Sequence, residues 1–154
     1  MSPDLQPGLV VANHGRHFLV EAGNGQRVIC HPRGKRSDAV VGDRVLWRAS
    51  HDEGTIEKVQ DRRNLFYRQD EVRTKSFAAN LDLVLVLIAA EPVFSESQLA
   101  RALIAAEEAR ITPVIALNKS DLVEPFERAW ARLVTYQHMG YGVMPLSLRL
   151  SKEV

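Results

Sequence analysis

The feature that most constrains this chain is the stretch Val114-Ile115-Ala116-Leu117-Asn118-Lys119-Ser120-Asp121-Leu122, an apolar run that stops abruptly in Asn-Lys-Ser-Asp. A strand covered on both faces carries no polar alternation, so the run predicts a buried strand of a parallel sheet. In an open α/β sheet, ligands bind where the carboxyl ends of strands open into loops. Asn118, Lys119, Ser120 and Asp121 stand at such an end.

These side chains suit one kind of purine. The Asp121 carboxylate can accept hydrogen bonds from the guanine ring N–H and the exocyclic amine together. Adenine lacks that donor pair, and a buried acceptor left unpaired is the strong form of discrimination. Asn118 would face the ring-oxygen side and tie neighbouring loops together. The Lys119 methylenes would lie along the base plane while the ammonium stays in water. The same tetrapeptide also fits an ordinary turn, because Asp, Asn and Ser favour loops for local hydrogen-bonding reasons. A strand before it and a helix after it are the context that base recognition requires.

Composition narrows the setting. The 154 residues are 45% hydrophobic and 25% charged, as in a soluble globular protein of one or two domains. Net charge is only +1, but it is unevenly spread. Residues 1–75 carry 13 Lys and Arg against 10 Asp and Glu, and residues 76–154 carry 7 against 9. A polyanionic partner is therefore expected on the first half. Cys30 is the only cysteine, so no internal disulfide forms and a reducing compartment is expected. It reads as a small core residue. His14, His17, His31 and His51 lack paired ligand spacing, so no metal site is expected. The first residues lack a basic segment followed by an apolar one, and the longest apolar run, Leu83 to Ala90, is too short to span a bilayer. These readings predict a cytoplasmic protein with no membrane partner.

The first half alternates short strands with turns. Gly8 to Asn13, Phe18 to Glu21, Arg27 to Cys30, Arg44 to Arg48 and Thr55 to Val59 read as five strands, separated by His14-Gly15, Gly23-Asn24-Gly25, Val41-Gly42-Asp43 and Asp52-Glu53-Gly54. Five strands at this spacing predict an OB-fold barrel over residues 1–62, an architecture whose face and loops bind oligonucleotides. The loop His31-Pro32-Arg33-Gly34-Lys35-Arg36 carries three cations, with Arg44 on a neighbouring strand. Arg33, Lys35, Arg36 and Arg44 are the candidate RNA contacts, directed at phosphates rather than bases. The alternative is a solvated charged loop. Phe18, Trp47, Phe66 and Tyr67 read as core rather than stacking platforms, which favours structured RNA over single strands. Residues 63–80, charged and broken in pattern, read as a mobile linker.

Beyond Asn80 the register changes to α/β. Leu83 to Ala90 is an apolar strand, and Ser95-Glu96-Ser97-Gln98 is a helix-start pattern. Leu99, Ala102, Leu103, Ala106 and Ala109 repeat at helical spacing before the strand Thr112 to Leu117. A second helix follows Pro125 through Phe126, Ala129, Trp130, Leu133 and Val134, ends near Gly140, and leads to a third strand, Gly142 to Leu146. Three parallel strands alone leave an open edge and an uncovered apolar face, so self-association is expected.

A guanine-reading loop needs a phosphate-binding partner, G-x-x-x-x-G-K-[ST]. None occurs in the 154 residues, and Gly34-Lys35 has neither the spacing nor the following hydroxyl residue. A β-barrel placed before Asn-Lys-x-Asp is characteristic of one group. The segments Val10-Val11-Ala12-Asn13, Gly42-Asp43-Arg44-Val45 with Trp47-Arg48, Ala78-Ala79-Asn80-Leu81-Asp82, Asn118-Lys119-Ser120-Asp121-Leu122 and Gly140-Tyr141 resemble, in order, the N-terminal part of the ribosome small-subunit-dependent GTPase A family, circularly permuted bacterial GTPases. The resemblance spans Gly8 to Ser147. It implies an OB-fold barrel followed by the first part, residues 81–154, of a P-loop GTPase-like α/β domain, truncated before the P-loop. It implies GTP as substrate, the 30S subunit and its 16S rRNA as partners, late subunit maturation as the process, no DNA partner, and a monomer at full length. Mg²⁺ and Zn²⁺ would be held only by parts found in the full-length family. Asn118, Lys119, Ser120 and Asp121 would bind guanine, with Ser147 and Leu148 in the second base-contacting loop, where the family usually has Ser-Ala or Ser-Ser. No catalytic residue is expected in this chain, which should not hydrolyse GTP alone. The competing reading is a non-catalytic RNA-binding OB-fold protein with an α/β docking module. A P-loop encoded beyond Val154 would favour the first, and a stop codon the second.

Overall fold

The computed structural model describes residues 5–35 and 37–149. The chain divides into two compact units, Met1–Leu81 and Asp82–Val154.

In the first unit, β1 (Leu5–Asn13), β2 (Phe18–Ala22), β3 (Arg27–Pro32), β4 (Arg44–Ser50) and β5 (Glu53–Val59) close into a barrel of order β1-β2-β3-β5-β4. All pairings are antiparallel except β3 with β5. This is the OB-fold expected from the strand count. Strand alternation sends Val10, Phe18, Val20, Cys30, Val45, Trp47 and Ile56 inward as one buried cluster. Each such burial contributes about 1.5–3 kcal/mol against the unfolded chain. Trp47 needs room: a Cβ at position 54 would lie 2.7 Å from its ring and 2.8 Å from the Cys30 sulfur, so only glycine fits there. Burial pushes the Cys30 thiol pKa up to about 11, with the Glu53 charge adding to the effect.

Residues 63–80 are not the irregular linker that their composition predicts. Leu65–Gln69 (β6) and Thr74–Ala79 (β7) pair as an antiparallel hairpin. The Asp70 carboxylate closes its tip by accepting from the Val72 and Arg73 amides at 2.9 and 2.7 Å. These two amides lower the Asp70 pKa. The base of the hairpin is a polar clasp. Asn64 and Asn80 exchange hydrogen bonds with the backbone of Leu81, Arg63 and Gly42. Gly42 takes φ +93°, and a Cβ there would run into the Ala79 carbonyl. The hairpin escapes sequence reading because its partners are charged and a bulge between Phe66 and Tyr67 breaks the alternation.

In the second unit, β8 (Leu83–Ala89), β9 (Thr112–Asn118) and β10 (Gly142–Pro145) form a parallel sheet of order β10-β9-β8. Helices α1 (Glu96–Glu108) and α2 (Val123–His138) connect them. Ser95 caps α1 by accepting from the Gln98 amide, and Gly140 follows α2 at φ +99°. Both helices pack on one face, where Leu99, Leu103, Ala129 and Leu133 meet Val86, Ile88, Ile115, Leu117 and Val143. Ile115, Ala116 and Leu117 are fully buried, as the apolar run predicts. The other face of β8 is not: Leu83, Leu85 and Leu87 are 48%, 51% and 52% exposed. β8 is also an edge strand of the sheet, as is β10 on the other side.

Candidate functional site

The α/β unit gathers its polar residues at the carboxyl ends of the strands. β9 ends at Asn118, and Lys119 turns the chain with φ +69°. The Leu122 amide donates to the Lys119 carbonyl at 3.0 Å, and α2 begins at Val123. Parallel pairing of β10 with β9, with Pro145 opposite Leu117, brings the next loop alongside. The Leu146 amide then donates to the Leu117 carbonyl at 2.8 Å, and the Ser120 amide to the Leu146 carbonyl at 3.1 Å.

Side chains complete the junction. The Ser147 hydroxyl donates to Asp121 Oδ1 at 3.0 Å. The Leu148 amide donates to Asn118 Oδ1 at 3.1 Å, which fixes the carboxamide with its NH₂ turned away from that amide. The Lys119 ammonium donates to the Glu91 carbonyl at 2.6 Å, reaching the loop that follows β8. Asn118, Lys119, Ser120, Asp121, Ser147 and Leu148 are thus one constellation on two loops, tied through Lys119 to a third. Leu148 takes part through its backbone, so the bulk of its side chain, half exposed, does not bar it from this role. A carboxylate has about four lone-pair sites. With one Asp121 oxygen held by Ser147, the group is oriented and still able to accept a pair of N–H donors.

The basic residues of the barrel are less unified. Arg33 is exposed but pairs with Glu57 at 3.2 Å, and Arg48 approaches the same carboxylate at 3.7 Å. Lys35 lines a cavity of about 380 Å³ with Arg16, Phe18, His31, Pro32 and Ser37. Arg44 opens β4, two strands round the barrel from β3. Arg36 lies outside the described residues. Sequence reading overlooked Arg16, because it lies in a turn distant in sequence from the Arg33–Lys35 loop. It also overlooked the hairpin, where Lys75 sits 5.5 Å from the Phe77 ring and Tyr67, Arg68 and Arg73 are exposed.

A model of the RsgA GTPase family matches residues 59–154, more than half of the chain. The chain belongs to the RsgA GTPase family. Among relatives, the small ribosomal subunit biogenesis GTPase RsgA of Variovorax paradoxus is 74% identical over 149 residues, 97% of this chain and 47% of its own length. The protein of the same name from Ralstonia nicotianae is 50% identical over 147 residues, 95% of this chain and 46% of its own. The chain thus spans about half the length of the curated relatives it matches. The crystal structure of YjeQ from Thermotoga maritima superposes with a TM-score of 0.67 at 27% identity, covering 93% of this chain and 52% of that one.

The RsgA GTPase match begins at Val59 and therefore includes the β6–β7 hairpin, whereas the hairpin's own contacts join it to the barrel unit. No helix among the described residues is long and apolar enough to cross a membrane. Nor do these residues gather three or more His, Cys, Asp or Glu side chains able to hold a metal ion.

Proposed function

We propose that this chain supplies the guanine-reading loops and the RNA-contacting barrel of a GTPase that acts in the cytoplasm on the 30S subunit late in its assembly. The observation that carries this reading is the convergence of Asn118, Asp121, Ser147 and the Leu148 amide at the ends of β9 and β10. Asp121 accepts from the guanine N–H and exocyclic amine. Ser147 holds the carboxylate in place, and Asn118 faces the ring-oxygen side. Lys119 lies along the base. The Variovorax relative is named a small ribosomal subunit biogenesis GTPase, and 74% identity across nearly this whole chain supports carrying the ribosomal partner over.

Arg33, Lys35, Arg36 and Arg44 contact backbone phosphates of 16S rRNA, which positions the barrel without reading sequence. Phosphoryl transfer rests on positioning phosphates and Mg²⁺, and the 154 residues contain no G-x-x-x-x-G-K-[ST]. The chain alone therefore recognises the base without gripping phosphate, and it does not hydrolyse GTP. Calorimetry with guanosine, GMP and GTP tests this. All three should bind weakly and within about threefold of one another, a spread under 1 kcal/mol. Adenosine should not bind, and Asp121→Ala should abolish the binding. GTP binding far tighter than guanosine binding would overturn the reading.

A further inference from the structure

The cavity shared by Arg16, His31 and Lys35 has a neighbour that the RNA reading does not use. His14 and His17 flank Arg16 in the β1–β2 turn, which is closed by a hydrogen bond from the His14 amide to the His17 carbonyl at 2.9 Å. Antiparallel pairing sets Phe18 opposite Cys30, so the next residues along, His17 and His31, are brought side by side. The rings form a row: His14 to His17 at 5.3 Å between centroids, and His17 to His31 at 6.2 Å. Three imidazoles thus stand in successive contact, and the last of them, His31, lines a cavity of about 380 Å³ together with Arg16 and Lys35.

We infer that this cavity seats a backbone phosphate of RNA, and that the histidine row makes its occupancy proton-linked. The inference rests on the RNA reading above and moves its anchor from Arg33 to Arg16 and Lys35, with the histidine row, whose His31 ring Glu53 already meets, beside them. Arg33 is the poorer anchor because Glu57 already holds it. Imidazole is the side chain that changes charge between about pH 5 and pH 8. A phosphate set against the row favours the charged rings, so binding takes up protons and strengthens as pH falls through that range. Above it, Arg16 and Lys35 alone hold the phosphate.

The charged groups around the row are few. Glu53 meets His31 Nε2 at 2.8 Å and fixes the ring from the β5 side. Asp52 and His51 precede Glu53 in the same turn. Glu57 is engaged by Arg33 and Arg48. Asp38, one residue beyond the cavity's Ser37, is the remaining anion on that loop. Arg16 and Lys35 are the cations.

The test uses this chain with a fluorescein-labelled, mixed-sequence duplex RNA, read by anisotropy at fixed ionic strength. Binding should be about tenfold tighter at about pH 5.5 than at about pH 8, the change expected for an average net uptake of roughly 0.4 proton across that span. The triple variant His14→Gln, His17→Gln and His31→Gln should keep the weaker affinity and lose the pH dependence. His17→Gln alone, at the centre of the row, should reduce it. His138→Gln on α2 should leave it unchanged. RNA binding with a flat profile, or a slope that survives in the triple variant, overturns the phosphate seat and leaves the RNA reading standing. No RNA binding at either pH overturns both.

Discussion

Arg62 donates to both carboxylate oxygens of Asp43, Nε to Oδ1 and a terminal nitrogen to Oδ2, each at 2.8 Å. Asp43 is fully buried, and Oδ2 also accepts from the Val40 amide at 2.8 Å. Arg62 donates further to the Asp38 carbonyl at 2.7 Å. The pair therefore ties the loop before β4 to the chain leaving β5. Its hydrogen bond to Asp43 raises the Arg62 pKa.

Breaking this pair from one side should be costly. Arg62→Met leaves a buried carboxylate without its counter-ion and should destabilise the barrel by about 3–5 kcal/mol. The double change Arg62→Met with Asp43→Leu should cost less than Arg62→Met alone, because no charge is then stranded. Urea denaturation of the three proteins measures both. A double variant no more stable than the single one would refute this account.

Cys30 should be inert while the barrel is folded. Its pKa of about 11 keeps the thiol protonated at neutral pH, and the thiolate is the reactive form. A disulfide reagent should therefore modify it at the rate of unfolding. Linkage gives a second signature. The folded pKa lies above the ordinary 9.0, so the unfolded chain loses its proton first as pH rises. This contribution to stability should be intact below about pH 9 and lost progressively towards about pH 11. Cys30→Ala should remove that component of the alkaline decline.

The Ser147–Asp121 hydrogen bond should tune base affinity without setting base identity. Ser147→Ala removes one hydrogen bond to a charged acceptor, worth about 1.5–3 kcal/mol, and should weaken guanosine binding by about one to two orders of magnitude. Asp121→Asn should do something different. An amide can donate to a ring carbonyl, so preference should move from guanosine towards xanthosine. Competition binding with the two nucleosides separates these outcomes. Unchanged preference in Asp121→Asn would remove Asp121 from base recognition.

The exposed side of β8 should make the chain self-associate. Leu83, Leu85 and Leu87 lie half exposed beside an unpaired strand edge, and such an edge is a template for pairing. Sedimentation should show an apparent mass that rises with concentration. Leu85→Lys with Leu87→Lys should suppress the rise. A wild-type chain that stays monomeric throughout would contradict this expectation.

Local pattern made much of the fold legible. The five barrel strands were readable because short apolar or alternating runs lie between strong turn signals. The three parallel strands and two helices were readable because their apolar runs and stripes have different periods. The hairpin was not, because the Asp70 turn and the Asn64–Asn80 clasp that hold it depend on side-chain hydrogen bonds rather than on hydrophobic period. The apolar run of β8 did not show which of its faces is covered, because such a run records how many sides are apolar, and not how many are packed against.

The same division holds for the sites. Sequence by itself determined the Asn-Lys-Ser-Asp loop, since a strand end followed by a helix places four consecutive residues together wherever the rest of the chain lies. Only tertiary structure brought Ser147 and Leu148 to Asp121 and Asn118, because that meeting depends on the parallel register of β10 against β9. Only tertiary structure set His14 and His17 beside His31, Arg16 and Lys35. Strand pairing joins residues far apart in the chain, and no local pattern records which residue will lie opposite which.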